Sequence, residues 1–474
     1  MKIEQLYTGC LAHGAYYIGS NGEAAIIDPL RDTQPYVEMA KERGEKIKYI
    51  FQTHFHADFV SGHMDLARKT GAQIIYGPTQ MNTGYEILSA ADGQEFAIGK
   101  TRVKLIHTPG HTLESSCYLL HDENGKATAL FSGDTLFIGD VGRPDLAQHV
   151  IADLTEEKLA GLLYDSLHNK IMPLADDIIV YPGHGAGSAC GKKMSSETQD
   201  TLGNQKRNNY ALQPGLSKEA FIKELLHGLT TPPGYFPENV MMNIKGYDLF
   251  DEVLKKGLQA YSPDEFEVIL AETGALLIDT RAAGTFAKGF VPGSVNIGID
   301  GSFAVWVGTL VKDIRQKIVI ITEQGREEEV VTRLARVGYD QCIGYLKGGF
   351  EAWKQAGKNT DTIESISADT FAQLYEQNLN IPVLDVRKKS EFDSEHIEGA
   401  LNTPLDYIEQ ALPLIDTNST MYVHCAAGYR SMAFVSILRA KGFNNLVDVA
   451  GGFKAIKATG KFKTSEFVVP TTDL

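Results

Sequence analysis

The chain has 474 residues, with 45 Lys and Arg against 60 Asp and Glu for a formal net charge of −15, and 43% of it is hydrophobic. That length predicts two to four domains, and the apolar content excludes disorder as the dominant state. No long basic run relieves the acidic balance, which excludes non-specific nucleic-acid binding, a mode that depends on Lys and Arg neutralising phosphates. The 46 glycines exceed the roughly 7% of average proteins and point to tight turns and loop-built sites. Five cysteines, at positions 10, 117, 190, 342 and 425, are too scattered for a disulfide framework. The N-terminal MKIEQLYTG lacks the apolar core of a secretory signal, and no stretch reaches the about 18 apolar residues of a membrane span. A reduced, cytoplasmic protein without a membrane partner is expected.

In chain order, short β-rich runs at 24–28, 47–52, 103–107, 128–131 and 177–181 alternate with amphipathic helix candidates over 33–43 and 155–167. Several runs end directly in polar clusters, as strands do when they deliver ligands at their tips. Eleven of the 13 His fall within residues 1 to about 250, leaving only His396 and His424 beyond. From about 190 the sequence turns helical and polar, until the breaker TTPPGYFP at 230–237. An internal repeat follows. LLIDTRAAGTFAKGFVPGSVNI at 276–297 parallels VLDVRKKSEFDSEHIEGALNT at 383–403, and each copy closes on Gly-Gly-Phe, at 348–350 and 451–453. The expected domains are 1–255, 256–360 and 361–474. Cys10, Cys117 and Cys342 lie in strand-like text and are expected in cores.

The densest chemistry is THFHADFVSGH at 53–63, followed by TPGH at 108–111, SGD at 132–134 and YPGH at 181–184. Each follows a β-like run, so His54, His56, Asp58, His111, Asp134 and His184 sit where strands meet loops. Imidazoles and carboxylates on a rigid scaffold are what a metal ion requires. The pattern resembles the metallo-β-lactamase superfamily, whose signature is His-x-His-x-Asp-His followed by later His, Asp and His ligands. The resemblance covers about 250 residues and implies an αββα sandwich.

One position departs from that signature. The final His of the motif is Phe59 here, which removes an imidazole from the second metal position and weighs against a two-zinc hydrolase. Two His and one carboxylate suit non-haem Fe(II) and oxygen chemistry. Within the superfamily the chain looks most like the persulfide dioxygenases. That likeness implies one Fe(II) per metal domain, held by His54, His111 and Asp134, with His56, Asp58 and His184 around it. GRPD at 142–145 matches a Gly-Arg-x-Asp element of those enzymes, where Arg143 would orient the ligands or the anionic end of a substrate. Cys190, in GAGSACGKK at 185–193, is flanked by small residues and suits holding or receiving a persulfide sulfur, beside the plainer reading of a buried structural thiol.

HCAAGYRS at 424–431 puts Cys425 directly after a β-run, followed by small residues, Gly and Arg. Inward-pointing amides, a helix start and Arg430 would stabilise a thiolate or persulfide there. This resembles the rhodanese family, through Cys-x-x-Gly-x-Arg and the upstream DVR at 385–387. The resemblance covers about 100 residues and implies an α/β domain with a parallel sheet. Only four residues separate Cys425 from Arg430, where the dual-specificity phosphatase loop has five, which favours sulfur over phosphate. The middle copy reads IITEQGR at 320–326 and has no thiol, so it is expected to be an inactive rhodanese-like module.

Together these resemblances imply a persulfide dioxygenase–rhodanese fusion. It would oxidise a low-molecular-weight thiol persulfide with O2 to sulfite and thiol, while Cys425 carries sulfur to or from thiosulfate, in sulfide detoxification. The family also implies a homo-oligomer. Two alternatives stand beside this: a zinc-dependent thioester hydrolase fused to a sulfurtransferase, and a sulfur-relay module whose metal domain only binds.

Overall fold

The computed structural model describes residues 1–146, 154–229 and 231–469. Position 230, the first residue of the predicted breaker, and positions 470–474 of the third domain lie outside them. By internal packing the chain divides into two units, one built on Met1–Phe250 and the other on Asp251–Leu334 with residues 339 onward.

The first unit is built on two six-stranded sheets. Lys2–Thr8, His13–Ser20, Glu23–Ile27, Lys46–Phe51, Gln73–Tyr76 and Leu88–Ser89 form one in chain order. Glu95–Ile98, Thr101–His107, Ser116–His121, Ala127–Gly133, Ile179–Pro182 and Asp200–Thr201 form the other. All five predicted runs fall on these strands. Alternation along each strand sorts residues to opposite faces. Val103, Leu105, Leu120 and Phe131 meet Tyr16, Ile18, Ile27, Phe51 and Ile75 of the first sheet in a shared core. Their neighbours Ile106, Leu119 and Leu130 turn outward, against Ala160, Leu163, Phe221 and Leu225 of the covering helices. Gln34–Arg43 and His63–Thr70 pack on the first sheet, completing the αββα sandwich.

Local chemistry sets the helix ends. Gln34–Arg43 starts with Pro in its first turn and stops at Gly44 in the left-handed conformation, φ 62°, which glycine adopts at least cost. Glu156–Ser166 starts where the Thr155 side chain accepts the amide of Lys158, and it runs on into a π-helical turn, Leu167–Ile171. Phe51 is fully buried, with its ring centroid 4.7 Å from that of Tyr118 and 5.4 Å from that of Phe96. Phe51→Ala should therefore destabilise this unit by about 3–5 kcal/mol, read as a lower urea midpoint.

The second unit contains two five-stranded sheets, paired parallel throughout. Their orders are Ala260–Tyr261, Cys342–Leu346, Ile318–Ile321, Leu276–Asp279, Val295–Asn296, and Ser365–Ser367, Leu446–Ala450, Met421–His424, Val383–Asp385, Leu401–Asn402. The sequence repeat is also a repeat of interactions. Arg281 forks onto Asp279 and lies over the Phe350 ring at 4.6 Å, as Arg387 forks onto Asp385 and lies over Phe453 at 4.0 Å. Asn296 and Asn402 each donate to the carbonyls of that Asp and that Arg. The two copies also share a core, in which Phe286 and Phe290 of the first pack with Met432, Phe434 and Leu438 of the second.

Cys117 and Cys342 are fully buried in strands, whereas Cys10 lies in the turn after the first strand and is half-buried. Among the described residues no helix is long and apolar enough to cross a membrane.

Candidate metal centre and sulfur-transfer loop

The strand tips of the first unit converge on one buried point. His54, His111 and Asp134 are 2, 1 and 2% exposed, and each offers a ligand atom within 4.8 Å of the others. Asp134 Oδ2 lies 3.9 Å from His54 Nε2 and 3.4 Å from His111 Nε2. Ligands each about 2.1 Å from one ion stand about 3.0–3.4 Å apart, so slight contraction suffices. Apart from the Cys190 thiol, neither oxygen of Asp134 has a hydrogen-bond partner. Burying such a carboxylate unpaired costs several kcal/mol, and a bound cation removes that cost. These residues fit a metal ion.

Neighbouring groups fix which nitrogen each imidazole presents. His111 Nδ1 is 2.7 Å from the carbonyl of Arg143. A carbonyl only accepts, so Nδ1 carries the proton and Nε2 presents a lone pair. His54 Nδ1 is 3.0 Å from Thr53 Oγ1, which donates to Asp28 Oδ2 at 2.8 Å, so the same tautomer follows. Burial holds His111 down to about 4 and pushes His54 well below the usual imidazole range. Both are thus neutral, the form a metal binds. Burial, reinforced by the Asp58 and Asp28 charges, lifts Asp134 well above the carboxylate range, and burial lifts Asp58 to about 6.

The remaining expected ligands divide. His56 falls outside the three-atom set, since its Nε2 turns to Asp28 Oδ1 at 3.1 Å. Asp58 and His184 form a second buried set with Cys190. Phe59 packs its ring 4.3 Å from those of His13 and His56, filling the place of the absent imidazole. Arg143 is buried, with Nε and Nη2 donating to Asp145 at 2.6 and 2.5 Å, and it supports the centre through its backbone carbonyl. Burial, with the Asp58 and Asp134 charges, pushes the Cys190 thiol well above its usual range.

The glycine of GRPD has a steric reason. A Cβ at Gly142 would sit 2.1 Å from the Asp134 carbonyl oxygen and 2.9 Å from His111 Nδ1. Gly142→Ala should therefore shift both ligands and weaken metal binding by about 10–100-fold, measured by competition with a chelator.

Sequence reasoning missed three supports. His13 donates through Nε2 to the Asp28 carbonyl at 2.9 Å and bridges to His184. Asp28, which holds Thr53, ends a predicted β-run, a signal that was available. Asn243 donates to the carbonyls of His56 and Phe59 at 2.8 Å each and accepts from the Ser61 amide; nothing local marks it. A small apolar pocket of about 20 Å³, lined by Phe55, Met81, Leu113, Val240 and Ile244 among others, reaches His111.

In the last domain Cys425 is buried at the end of Met421–His424, and the Gly428 amide donates to its sulfur at 3.1 Å. The helix Tyr429–Ala440 starts immediately after, with Gly428 at φ 96°. Arg430 forms a two-pronged pair with Glu391, at 2.5 and 2.8 Å. Against burial, which acts to raise it, that guanidinium keeps Glu391 below the usual range. The Gly-Gly-Phe tag clasps the loop, because a Cβ at Gly452 would sit 2.4 Å from the Cys425 carbonyl oxygen. The middle copy has Thr322 in the corresponding place, and its Gly325 amide donates to Glu327 Oε2 at 2.8 Å, so a carboxylate occupies the position an anion would take.

A family model for the metallo-beta-lactamase superfamily matches residues 8–184, and one for the rhodanese-like domain matches 262–356 and again 367–459. Among solved structures, a metallo-beta-lactamase from Staphylococcus aureus subsp. aureus COL is 32% identical with a TM-score of 0.63, covering 73% of this chain and 98% of that one. Hydroxyacylglutathione hydrolase of Rhizobium etli is 37% identical over 165 residues, 34% of this chain and 57% of that protein. Persulfide dioxygenase ETHE1, mitochondrial, of Homo sapiens is 29% identical over 187 residues, 38% of this chain and 67% of that protein. The chain thus spans only about half to two thirds of these two curated relatives.

Proposed function

From a chain that belongs to the metallo-β-lactamase superfamily and carries two rhodanese-like domains behind its metal-binding fold, we propose a persulfide dioxygenase joined to a sulfurtransferase. The observation that carries this reading is the buried two-imidazole, one-carboxylate set of His54, His111 and Asp134, with Phe59 where the superfamily motif has a further His. That donor set suits Fe(II). The likeness to a human persulfide dioxygenase and the attached sulfur-handling fold support the substrate class.

The reaction is R–S–SH + O2 + H2O → R–SH + HSO3⁻ + H⁺, both oxygens of O2 going to the terminal sulfur. Ferrous iron, when bound, supplies O2 activation. The protein contributes the rest: the Arg143 carbonyl and Thr53 hold the two imidazoles in their metal-binding tautomer, and the apolar side chains beside His111 exclude water. In the last domain the Cys425 thiolate attacks the outer sulfur of a thiol persulfide, R–S–SH, breaking its S–S bond and releasing the thiolate R–S⁻, and the resulting Cys425 persulfide is stabilised by the Gly428 amide and the start of the following helix. Sulfite attacks its outer sulfur, which leaves as thiosulfate and returns the Cys425 thiolate.

A second reading is a zinc-dependent thioesterase. Asp58 and His184 beside Asp134 support it, as do relatives that are hydroxyacylglutathione hydrolases. Assaying the protein loaded with Fe(II), and separately with Zn2+, on a thiol persulfide and on a glutathione thioester separates the two. Sulfite formed from the persulfide with iron, and negligible thioester cleavage with zinc, is the expected outcome; the reverse pattern moves the assignment to the hydrolase.

A further inference from the structure

The helix Tyr429–Ala440 opens beside the Cys425 sulfur, and the thiol-free middle copy holds its first residue. Tyr429 follows Gly428, whose amide donates to that sulfur at 3.1 Å. The Tyr429 hydroxyl donates to the carbonyl of Gly298 in the middle copy at 2.7 Å. Its ring rests on the same loop. A Cβ at Gly298 would sit 3.3 Å from Tyr429 Cε2, and one at Gly301 would sit 3.0 Å from it. A larger side chain at either place would displace the ring. About two turns further along the helix, Ser436 Oγ accepts the amide of Asn296 at 2.8 Å. Between these two ties Phe286 and Phe290 of the middle copy share a core with Met432 and Val435.

The loop that receives Tyr429 is itself fixed. Its Ile297 and Ile299 amides donate to the carbonyls of Asp279 and Thr280 at 3.1 and 2.9 Å. Arg333 donates to the Ile299 carbonyl at 2.6 Å, and Arg326 forks onto Asp300 at 2.8 and 3.0 Å. Glu329 accepts from both arginines and ties them together. Such supports are what a positioned group requires.

Arg326 and Tyr429 hold the same place in the repeat, since each follows the glycine of its loop, Gly325 and Gly428. In the middle copy that residue closes on its own copy's loop. In the last copy it crosses to the other. The middle copy, which lacks the thiol, thus keeps its loop as a seat for the active one.

We propose that Tyr429, seated on Gly298 and Gly301 of the middle copy, is a positioning residue for sulfur transfer. By fixing the start of the helix, the middle copy keeps the Gly428 amide aimed at the Cys425 sulfur. Tyr429 acts through Gly428 and makes no bond to the transferred sulfur. Preorganised donors act through their placement, and a misplacement of about 1 Å can cost on the order of 10²-fold in rate. The inference rests on the reading of Cys425 as the sulfur carrier.

The test is a double-mutant cycle in the full-length protein, with thiosulfate as donor and cyanide as acceptor, read as thiocyanate formed. Tyr429→Ala is expected to lower kcat by on the order of 10–100-fold and leave KM for thiosulfate within about twofold. Tyr429→Phe, which loses only the hydroxyl, should lower kcat by about 2–10-fold. Gly298→Val, which pushes the ring from the other copy, should lower kcat by about tenfold, yet by less than about twofold when added to Tyr429→Ala. Should Tyr429→Ala not fold, losses of kcat at unchanged KM in Tyr429→Phe and Gly298→Val still decide. Wild-type kcat in the Tyr429 variants, a loss carried by KM alone, or losses that multiply in the double variant overturn the proposal. No thiocyanate from wild type, or undiminished turnover in Cys425→Ser, overturns instead the carrier reading on which it rests.

Discussion

Asp134→Asn is expected to empty the catalytic metal site and lower persulfide-dependent O2 uptake by on the order of 10³-fold or more, equivalent to about 4 kcal/mol of barrier. Asn keeps the shape and one oxygen but not the charge, and both Asp134 oxygens face ligand groups of the first unit. The same substitution should have the opposite effect on the metal-free protein. Asp28, Asp58 and Asp134 are buried together, and removing one carboxylate relieves repulsion and desolvation. Metal-free Asp134→Asn should thus melt at or above metal-free wild type. The metal-induced stabilisation, about 4 kcal/mol at a thousandfold excess over Kd, should disappear. A scan showing equal metal-induced shifts in both proteins would contradict the assignment of Asp134.

Cys425→Ser should abolish sulfur transfer between thiosulfate and an acceptor, by on the order of 10³-fold or more, as loss of a covalent nucleophile does. Serine fills the same space under the Gly428 amide, 3.1 Å from the sulfur in the native protein, so the loop should keep its shape. Oxygen cannot carry the sulfane sulfur. No compensation is expected from the middle copy, whose equivalent amide is taken by Glu327. O2 uptake with a small-molecule persulfide should stay at the wild-type rate, because that chemistry belongs to the first domain. Residual sulfur transfer near wild type would place the carrier elsewhere.

Much of this was legible in the sequence, because the signals were local. Apolar runs followed by polar clusters marked five strands of the first unit and the His and Asp residues gathered at their tips, and the paired Asp-x-Arg and Gly-Gly-Phe elements exposed the repeat. What escaped was set by distant packing. His56 is expected beside the ligands, and the residue its Nε2 faces there, Asp28 at 3.1 Å, comes from the neighbouring strand. GRPD predicts that Arg143 orients the ligands, but no local pattern tells that its backbone carbonyl faces His111 while its guanidinium pairs with Asp145. Asn243 ties down the loop after His54 from a helix 180 residues away in sequence, and no local pattern predicts such a contact. The nearness of Cys190 to Asp58 depends on the path of a glycine-rich loop whose hydrogen bonds to Asp140 and Arg143 are invisible in one dimension.

Iron held by His54, His111 and Asp134 is the proposed seat of persulfide oxidation. Its most direct test is O2 consumption by Fe(II)-loaded protein given a thiol persulfide, with His111→Ala as the comparison. O2 uptake accompanied by sulfite or thiosulfate is expected in the wild type and should be lost in His111→Ala. Wild-type protein that holds iron yet consumes no O2 with the persulfide would contradict it.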